Sequence, residues 1–527
     1  MLETTTGLRG MVTSPHHLAS SSGINVLRDG GNAIEAAIAT AASLAVVYPH
    51  MNGIGGDSFW LVVEPDRTAR VVQGCGAAAA LATPSLYKEQ GLKEIPTRGP
   101  LAALTVAGTL SAWDALLREG CTLSLDRILE EAIHYAENGS VASTSLSDLL
   151  TAKEAELSGN DHLARLFYPE GKALTAGSVF KQPALANTLK MLARDGLQSA
   201  YQGRIADAWA HDLGGAGAPV RLQDLAAHRA RAEEPLVSET GLATLYNMPP
   251  PTQGLISLLI LSAFDRMDAD EADGFAHIHG LVEATKWAMR RARQAGIGDP
   301  DWMSEAAQSL LDKTSGIEAA ALAIDPKRAT AWNGPSADGD TVWFGAVDGD
   351  GRMVSAIQSV YHEFGSGVML PETGVIWQNR GASFTLTDGA WNALVPGRLP
   401  FHTLNPAAAL FPDGRSMVYG TMGGEGQPQS QAAIFTRYAR FGVPLQAAVT
   451  APRWLLGRTW GEESTNLKIE SRFAPEVISQ LTEAGHDIQL VEPFTSMMGH
   501  AGALVRRPDG VMEGATDPRS DGGVAAW

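Results

Sequence analysis

"GDTVWFGAVDGDG", residues 339–351, sets a threonine between an acidic, glycine-containing turn and an apolar run. "TVWFGAV" (341–347) and "MVSAIQSV" (353–360) flank "DGDGR" (348–352), a pattern that predicts a β-hairpin. A surface threonine opening a strand is the ordinary reading of Thr341, and the rest of the chain has to decide. The turn also begins like a calcium loop, with Asp348 and Asp350 correctly spaced, but its fifth and twelfth positions are Arg352 and Ser359. Calcium needs an oxygen ligand at the fifth and a bidentate acid at the twelfth, so that reading fails. "DADEADG" (268–274) fails in the same way, with His279 at its twelfth position.

Immediately upstream, "AWNGPSADGD" (331–340) is polar and helix-breaking, and reads as an exposed loop and a cut point. From about residue 110 to 330 the pattern is mostly helical, as in "SAWDALLREG", "DRILEEAIHYAENG" and "HGLVEATKWAMRRARQAG". "YNMPPPTQGLISLLILSAF" (246–264) places three prolines ahead of a helix and aims it through a rigid turn. Near the start, Asn32 is the expected N-cap of an alanine-rich helix that is apolar nearly all round, as a sandwiched helix is. "MNGIGGDSFWLVVEP" and "ARVVQGCGAAAA" predict closely packed strands, and "GVIWQNRG", "SMVYGTMGGEG" and "GALVRRPDGVMEGA" predict more after residue 370. A helical middle between sheet-rich ends implies a layered α+β fold.

The 527 residues are 45% hydrophobic and 19% charged, the composition of an ordinary soluble globular chain. A formal charge of −18 argues against nucleic acid and anionic membranes as partners. It does not argue against a small anion, because one local arginine outweighs a diffuse field. Cys75 and Cys121 lack metal-site spacing and are expected to be reduced, buried thiols. With no secretory pattern at the N-terminus and no long apolar run, the expected location is the cytoplasm. His277 and His279 in "HIH" could share one side of a strand as metal ligands, but no third ligand accompanies them, and a structural role is expected. The glycines of "NGIGGDSF" and "GTMGGEG" complete neither a phosphate loop nor a dinucleotide fingerprint, and no G-x-S-x-G elbow occurs.

"GGNAIEAAIA", "NGIGGDSF", "PPPTQG", "DTVWFGAVDGDGRMVSAIQS", "FGSGVMLPETGVIWQNRGASF", "LNPAAAL", "GTMGGEG" and "GATDPRSDG" occur in that order. In this order they resemble the γ-glutamyltransferase family of N-terminal nucleophile hydrolases, over essentially the whole chain. The resemblance implies an α+β, four-layer αββα sandwich with a mostly helical large-subunit region. It implies a precursor that cuts itself between Asp340 and Thr341, leaving a large subunit of residues 1–340 and a small one of 341–527 within one folded unit. Thr341 would then be the nucleophile. Its own freed α-amine, with a pKa near 7.7–8, would be the base, so no histidine, metal or cofactor is needed. The resemblance assigns the oxyanion hole to Gly423 and Gly424, and it matches Ser359 to a threonine that hydrogen-bonds the nucleophile.

The departures concern the substrate. No basic residue stands at or near Cys75, where the family's carboxylate-binding arginine belongs. The asparagine, glutamine and aspartate that grip the glutamyl head group fall on Tyr361, Arg380 and Ser383, and the paired serines fall on His402 and Thr403. An arginine in place of the ammonium-binding carboxylate suits a smaller, acidic acyl group without an amine. The expected activity is an autoprocessing amidohydrolase on a small anionic amide. Hydrolysis or transfer of γ-glutamyl or other acyl groups is the alternative, and an unprocessed binding protein a remote one. A homo-oligomer is compatible with all of these.

Overall fold

The computed structural model of the chain describes residues 3–332, 334, 340–457 and 464–527. Most of the expected loop, residues 333 and 335–339, lies outside the described residues.

The layering follows from the alternation of side chains along the strand Asp340–Asp348. Val342, Phe344 and Ala346 face one core, shared with Val12, Trp60, Val62, Val354 and Ala356, under the helices His17–Arg28, Ala33–Val47 and Leu125–Asn138. Trp343 and Val347 face the opposite way, into a second core with Phe59, Leu61, Met353, Ile357, Ala408, Val418 and Leu504. A third core joins Leu245, Ala407, Ala409, Met417 and Tyr419 to the helices Gly254–Phe264, Phe275–Gln294 and Gln427–Ala439. Helix, sheet, sheet, helix is therefore the order of layers, as expected, with the second core between the sheets.

One sheet runs Gly523–Ala526, Gly10–Ser14, Asp340–Asp348, Met353–Tyr361, Asp57–Val63, Ala69–Gly74 and Arg231–Glu233. The other runs Thr5–Gly7, Met512–Thr516, Ala501–Arg506, Ser416–Thr421, Ala407–Leu410, Thr244–Asn247 and Leu236–Glu239. Strands from before and after residue 340 are hydrogen-bonded neighbours in both sheets, antiparallel throughout. A break at 340–341 would thus leave both pieces locked in shared ladders.

Several elements match the sequence reading in detail. The hairpin forms: Asp348 N–H donates to the Arg352 carbonyl at 3.1 Å, with Gly351 at φ +97°. Asp348 Oδ2 also accepts from Ala33 N at 2.9 Å, joining that turn to the first turn of the Ala33–Val47 helix. Asn32 caps this helix in a capping box with Glu35, and all of its residues are buried.

The glycine-rich stretches serve close packing. The Trp343 ring fills the space where a Cβ on Gly420 would lie 2.1 Å away and one on Gly502 2.4 Å away. In "NGIGGDSF", a Cβ on Gly56 would stand 2.1 Å from the Ser359 carbonyl oxygen. Gly56→Ala is expected to destabilise the fold by about 3 kcal/mol, because backbone must move rather than a side chain. The check is the denaturant midpoint, and an unchanged midpoint would show that the carbonyl yields freely.

Other expectations need correction. "GVIWQNRG" forms no strand, and Ile376 makes only an isolated bridge to Met369. Consecutive residues Val375 to Arg380 are all buried, so the stretch lacks the two-sided alternation of a strand and threads between layers. The helical middle contains the short strands Arg231–Glu233, Leu236–Glu239 and Thr244–Asn247, too brief to show a period. "HIH" lies in the Phe275–Gln294 helix rather than a strand. Cys75 is buried, but Cys121 is exposed, its thiol directed at Glu35 and the Leu123 carbonyl.

Candidate active site

The register of the central hairpin shifts at its open end. Asp340 pairs with Tyr361 and Val342 with Gln358, so Ser359 and Val360 together face Thr341. This bulge turns the Ser359 hydroxyl toward Thr341, whose Oγ1 donates to Ser359 Oγ at 3.3 Å, long for such a bond. Ser359 Oγ also accepts from Tyr361 N at 2.8 Å, and Tyr361 takes φ +81°, a strained value for an aromatic residue. Thr341 and Ser359 are each about 1% exposed.

Beyond the bulge the stretch 377–383 returns to the same place. Asn379 N donates to the Val360 carbonyl, and the Arg380 guanidinium lies 3.8 Å from the centre of the Tyr361 ring. Arg380, Arg437 and Arg453 are the largest fully buried cations among the described residues. The terminal nitrogens of Arg437 reach Asp273 and the Ala448 and Pro452 carbonyls, and those of Arg453 reach Asp517 and three carbonyls. Arg380 Nη1 and Nη2 have no hydrogen-bond partner among the described residues. Burial lowers its pKa to about 10, with Tyr361, Asp57 and Cys75 opposing, so the group stays charged at neutral pH.

Other unsatisfied buried atoms share its neighbourhood. His402 is fully buried with neither ring nitrogen hydrogen-bonded, and Thr403 Oγ1 and Ser383 Oγ have no partner among the described residues. His402 Nε2 lies 3.5 Å from Asp57 Oδ2, yet the two do not form an ion pair. Burial and then the Arg380 charge hold the imidazole well below its ordinary pKa, hence neutral. Burial drives the Asp57 carboxyl up to about 7 against the Arg380 charge and donors on Gln378, Gly108 and Gly76.

The turn 423–426 follows the strand Ser416–Thr421, with Gly423 at φ +119° and Gly424 at φ +53°. It leads into the helix Gln427–Ala439, whose N-terminal amides favour negative charge. Gln253 Nε2 donates to the Gly424 carbonyl at 2.7 Å and to that of Thr403 at 2.6 Å, tying this turn to the His402–Thr403 segment. The proline turn supports the same segment: Gln253 N donates to His402 O, and His402 N to Pro251 O.

The structure thus gathers Thr341, Ser359 and Tyr361 at the hairpin's end, with Arg380 stacked on Tyr361 and Ser383 in the same turn. His402 and Thr403 reach this group through Asp57 and the Gly423–Gly424 turn through Gln253. The sequence reading named neither Asp57 nor Gln253, although both stand in the glycine-rich stretches "NGIGGDSF" and "PPPTQG". Only tertiary contact reveals them.

Elsewhere, ligand atoms of His279, Glu283 and His486 lie within 4.8 Å of one another. Both His279 nitrogens are engaged, with His486 and the Asp325 carbonyl, and Glu283 is held by Lys286 and Thr330. This is a hydrogen-bonded structural cluster, with every one of those groups already served. No helix among the described residues is long and apolar enough to cross a membrane.

The family model for gamma-glutamyltranspeptidase matches residues 19–527. The chain is 51% identical over 523 residues to an oxamate amidohydrolase proenzyme of Klebsiella pneumoniae, covering 98% of each. It is 38% identical to a glutathione hydrolase-like proenzyme of Bacillus subtilis, again over 98% of each. Among solved structures, a cephalosporin acylase from Bacillus halodurans superposes with a TM-score of 0.91 at 32% identity, covering 100% of this chain and 97% of that one. By family model, sequence and fold together, the chain belongs to the gamma-glutamyltranspeptidase family.

Proposed function

We propose that this chain is an autoprocessing N-terminal threonine amidohydrolase that hydrolyses oxamate to oxalate and ammonia. The observation that carries the substrate is Arg380, a buried guanidinium whose two terminal nitrogens are unspent beside the Thr341 hydroxyl's end of the hairpin. Leaving such donors unsatisfied is costly unless a ligand completes them. Oxamate joins an amide directly to a carboxylate, and the relative at 51% identity bears the corresponding name.

In the proposed maturation, the peptide bond between Asp340 and Thr341 is cut, giving fragments 1–340 and 341–527 that stay paired through both sheets. The freed α-amine takes the Thr341 hydroxyl proton as Oγ1 attacks the amide carbon. Backbone N–H groups of Gly423 and Gly424 meet the developing oxyanion, the turn being held by Gln253. Arg380 grips the carboxylate, with Thr403, Ser383 and neutral His402 as supplementary hydrogen-bonding groups. The ammonium returns its proton to the departing nitrogen, ammonia leaves, and water hydrolyses the oxalyl ester.

Relatives named as glutathione hydrolases and acylases keep glutamyl and other acyl amides as the second reading. Ammonia release from oxamate, run beside amine release from a γ-glutamyl amide, separates the two. Oxamate is expected to be turned over far faster, and turnover of the γ-glutamyl amide alone would overturn the assignment.

A further inference from the structure

The two oxygens of Asp57 are treated very differently. Oδ1 accepts from Gly108 N at 3.0 Å, Gln378 Nε2 at 3.1 Å and Gly76 N at 3.4 Å. Oδ2 is buried, has no hydrogen-bond partner among the described residues, and points toward His402 Nε2 at 3.5 Å. Every fixed donor that reaches this carboxyl serves one oxygen, and the other is left where a proton could sit. The charged and titratable groups around it are Arg380 from the turn Arg380–Ser383, His402 ahead of the strand Ala407–Leu410, Cys75 after the strand Ala69–Gly74, and the Tyr201 phenol. Arg380 is the single cation among these groups: His402 is neutral, and burial drives both the Cys75 thiol and the Tyr201 phenol upward, toward their neutral forms. The Thr341 amine that cleavage would free titrates in the same range, and the Asp57→Asn comparison below separates its proton from that of Asp57.

Without a bound anion, one guanidinium and one carboxylate balance. When a substrate carboxylate settles on Arg380, the same small buried space would hold two carboxylates against one cation, an arrangement that drives one of them to take up a proton. The substrate's own acid is far stronger than a buried aspartic acid, so the proton goes to the protein side.

We propose that Asp57 is the proton-exchanging partner of the anion site: ionised as the counter-charge of Arg380 before an anion binds, it takes one proton from solvent onto Oδ2 as a substrate carboxylate settles there. This rests on the functional reading above and deepens it, because it makes the site selective for small monoanionic acyl amides. A dianion would need a second proton, and a neutral amide would leave the Asp57–Arg380 balance undisturbed. Burial has already moved this carboxyl to about 7, within reach of a proton at neutral pH. The sign follows from the stoichiometry. Below the carboxyl's titration Asp57 is already neutral and binding needs no proton. Above it each bound anion must bring one, so KM for oxamate rises toward tenfold per pH unit while that for neutral oxamide stays flat.

The test uses the mature two-fragment enzyme with pyruvate, which has the shape of oxamate but no amide to hydrolyse. Calorimetry at pH 8 in buffers of different ionisation enthalpy is expected to report uptake of close to one proton on pyruvate binding. Asp57→Asn should bind without uptake and show a pH-independent KM for oxamate. Binding to the wild-type enzyme without proton uptake, or equal uptake in Asp57→Asn, overturns the proposal. The wild-type measurement decides alone if the variant does not mature. Oxamate turnover without proton uptake would sink only the Asp57 proposal. Proton uptake that is lost in Asp57→Asn, without any oxamate turnover, would sink only the substrate assignment.

Discussion

Thr341→Ala is expected to remain a single chain of 55.6 kDa and to lose ammonia release by at least about 10⁴-fold. On the proposed function two separate events depend on the same oxygen. In the uncut chain, Thr341 lies at a bulge where the partner strand supplies two residues against one. Such an irregular pair leaves the 340–341 peptide without the regular ladder that would hold it rigid. On the proposed function the hydroxyl is the attacking group, and its base would exist only once cleavage has exposed the amine. Removing the hydroxyl therefore abolishes both base and nucleophile. Thr341→Ser keeps the oxygen and is expected to cleave and turn over at reduced rate, because it lacks the methyl that fixes the rotamer. Gel electrophoresis with end-group sequencing reads the first event and ammonia release the second. Self-cleavage of the alanine variant would remove Thr341 from the mechanism. For the mature wild type, kcat should rise with pH through the amine's titration, since only the unprotonated amine accepts the proton.

The layers were legible in the sequence because sheet-rich ends flank a helical middle and the hairpin turn has its characteristic residues. The Ala33–Val47 helix showed its cap and its all-round apolar surface, and the structure buries it on every side. What could not be read was the path of residues 374–381. Val375, Ile376 and Trp377 look like a strand by propensity, but successive buried side chains, Gln378, Asn379 and Arg380 among them, commit the backbone to bonds with Gly55, Val360 and Val368 instead. The same is true of Asp57. A lone aspartate after glycines carries no sign of function until Gly76, Gly108, Gln378 and His402 are folded around it. Arg380 was singled out because it stands in an ordered series of motifs where the family has another residue, whereas its unpartnered nitrogens are a property of the fold alone.

Those unpartnered nitrogens make the second large prediction, for Arg380, a test between binding and structure. A structural arginine in a protein interior has its donors satisfied, as Arg437 and Arg453 largely do here, and replacing one unfolds its surroundings. Arg380 spends none of its terminal donors on the described protein, so on the proposed function its buried charge is a stability cost held for a ligand. Arg380→Met, of similar length and apolar, is therefore expected to raise the melting temperature in the absence of substrate. The same change should raise KM for oxamate by about 100-fold or more, since a bidentate charge-assisted pair would be lost from a buried site, and should leave KM for oxamide nearly unchanged. Arg380→Lys should recover little, because a single ammonium cannot present two parallel donors to a carboxylate. Because the Met variant also strips Asp57 of its counter-charge, the Asp57 carboxyl should move further above its ordinary value and stay neutral across the working pH range. The pH dependence of KM should then vanish along with the affinity. A fall in melting temperature with KM for oxamate unchanged would return Arg380 to a purely structural role.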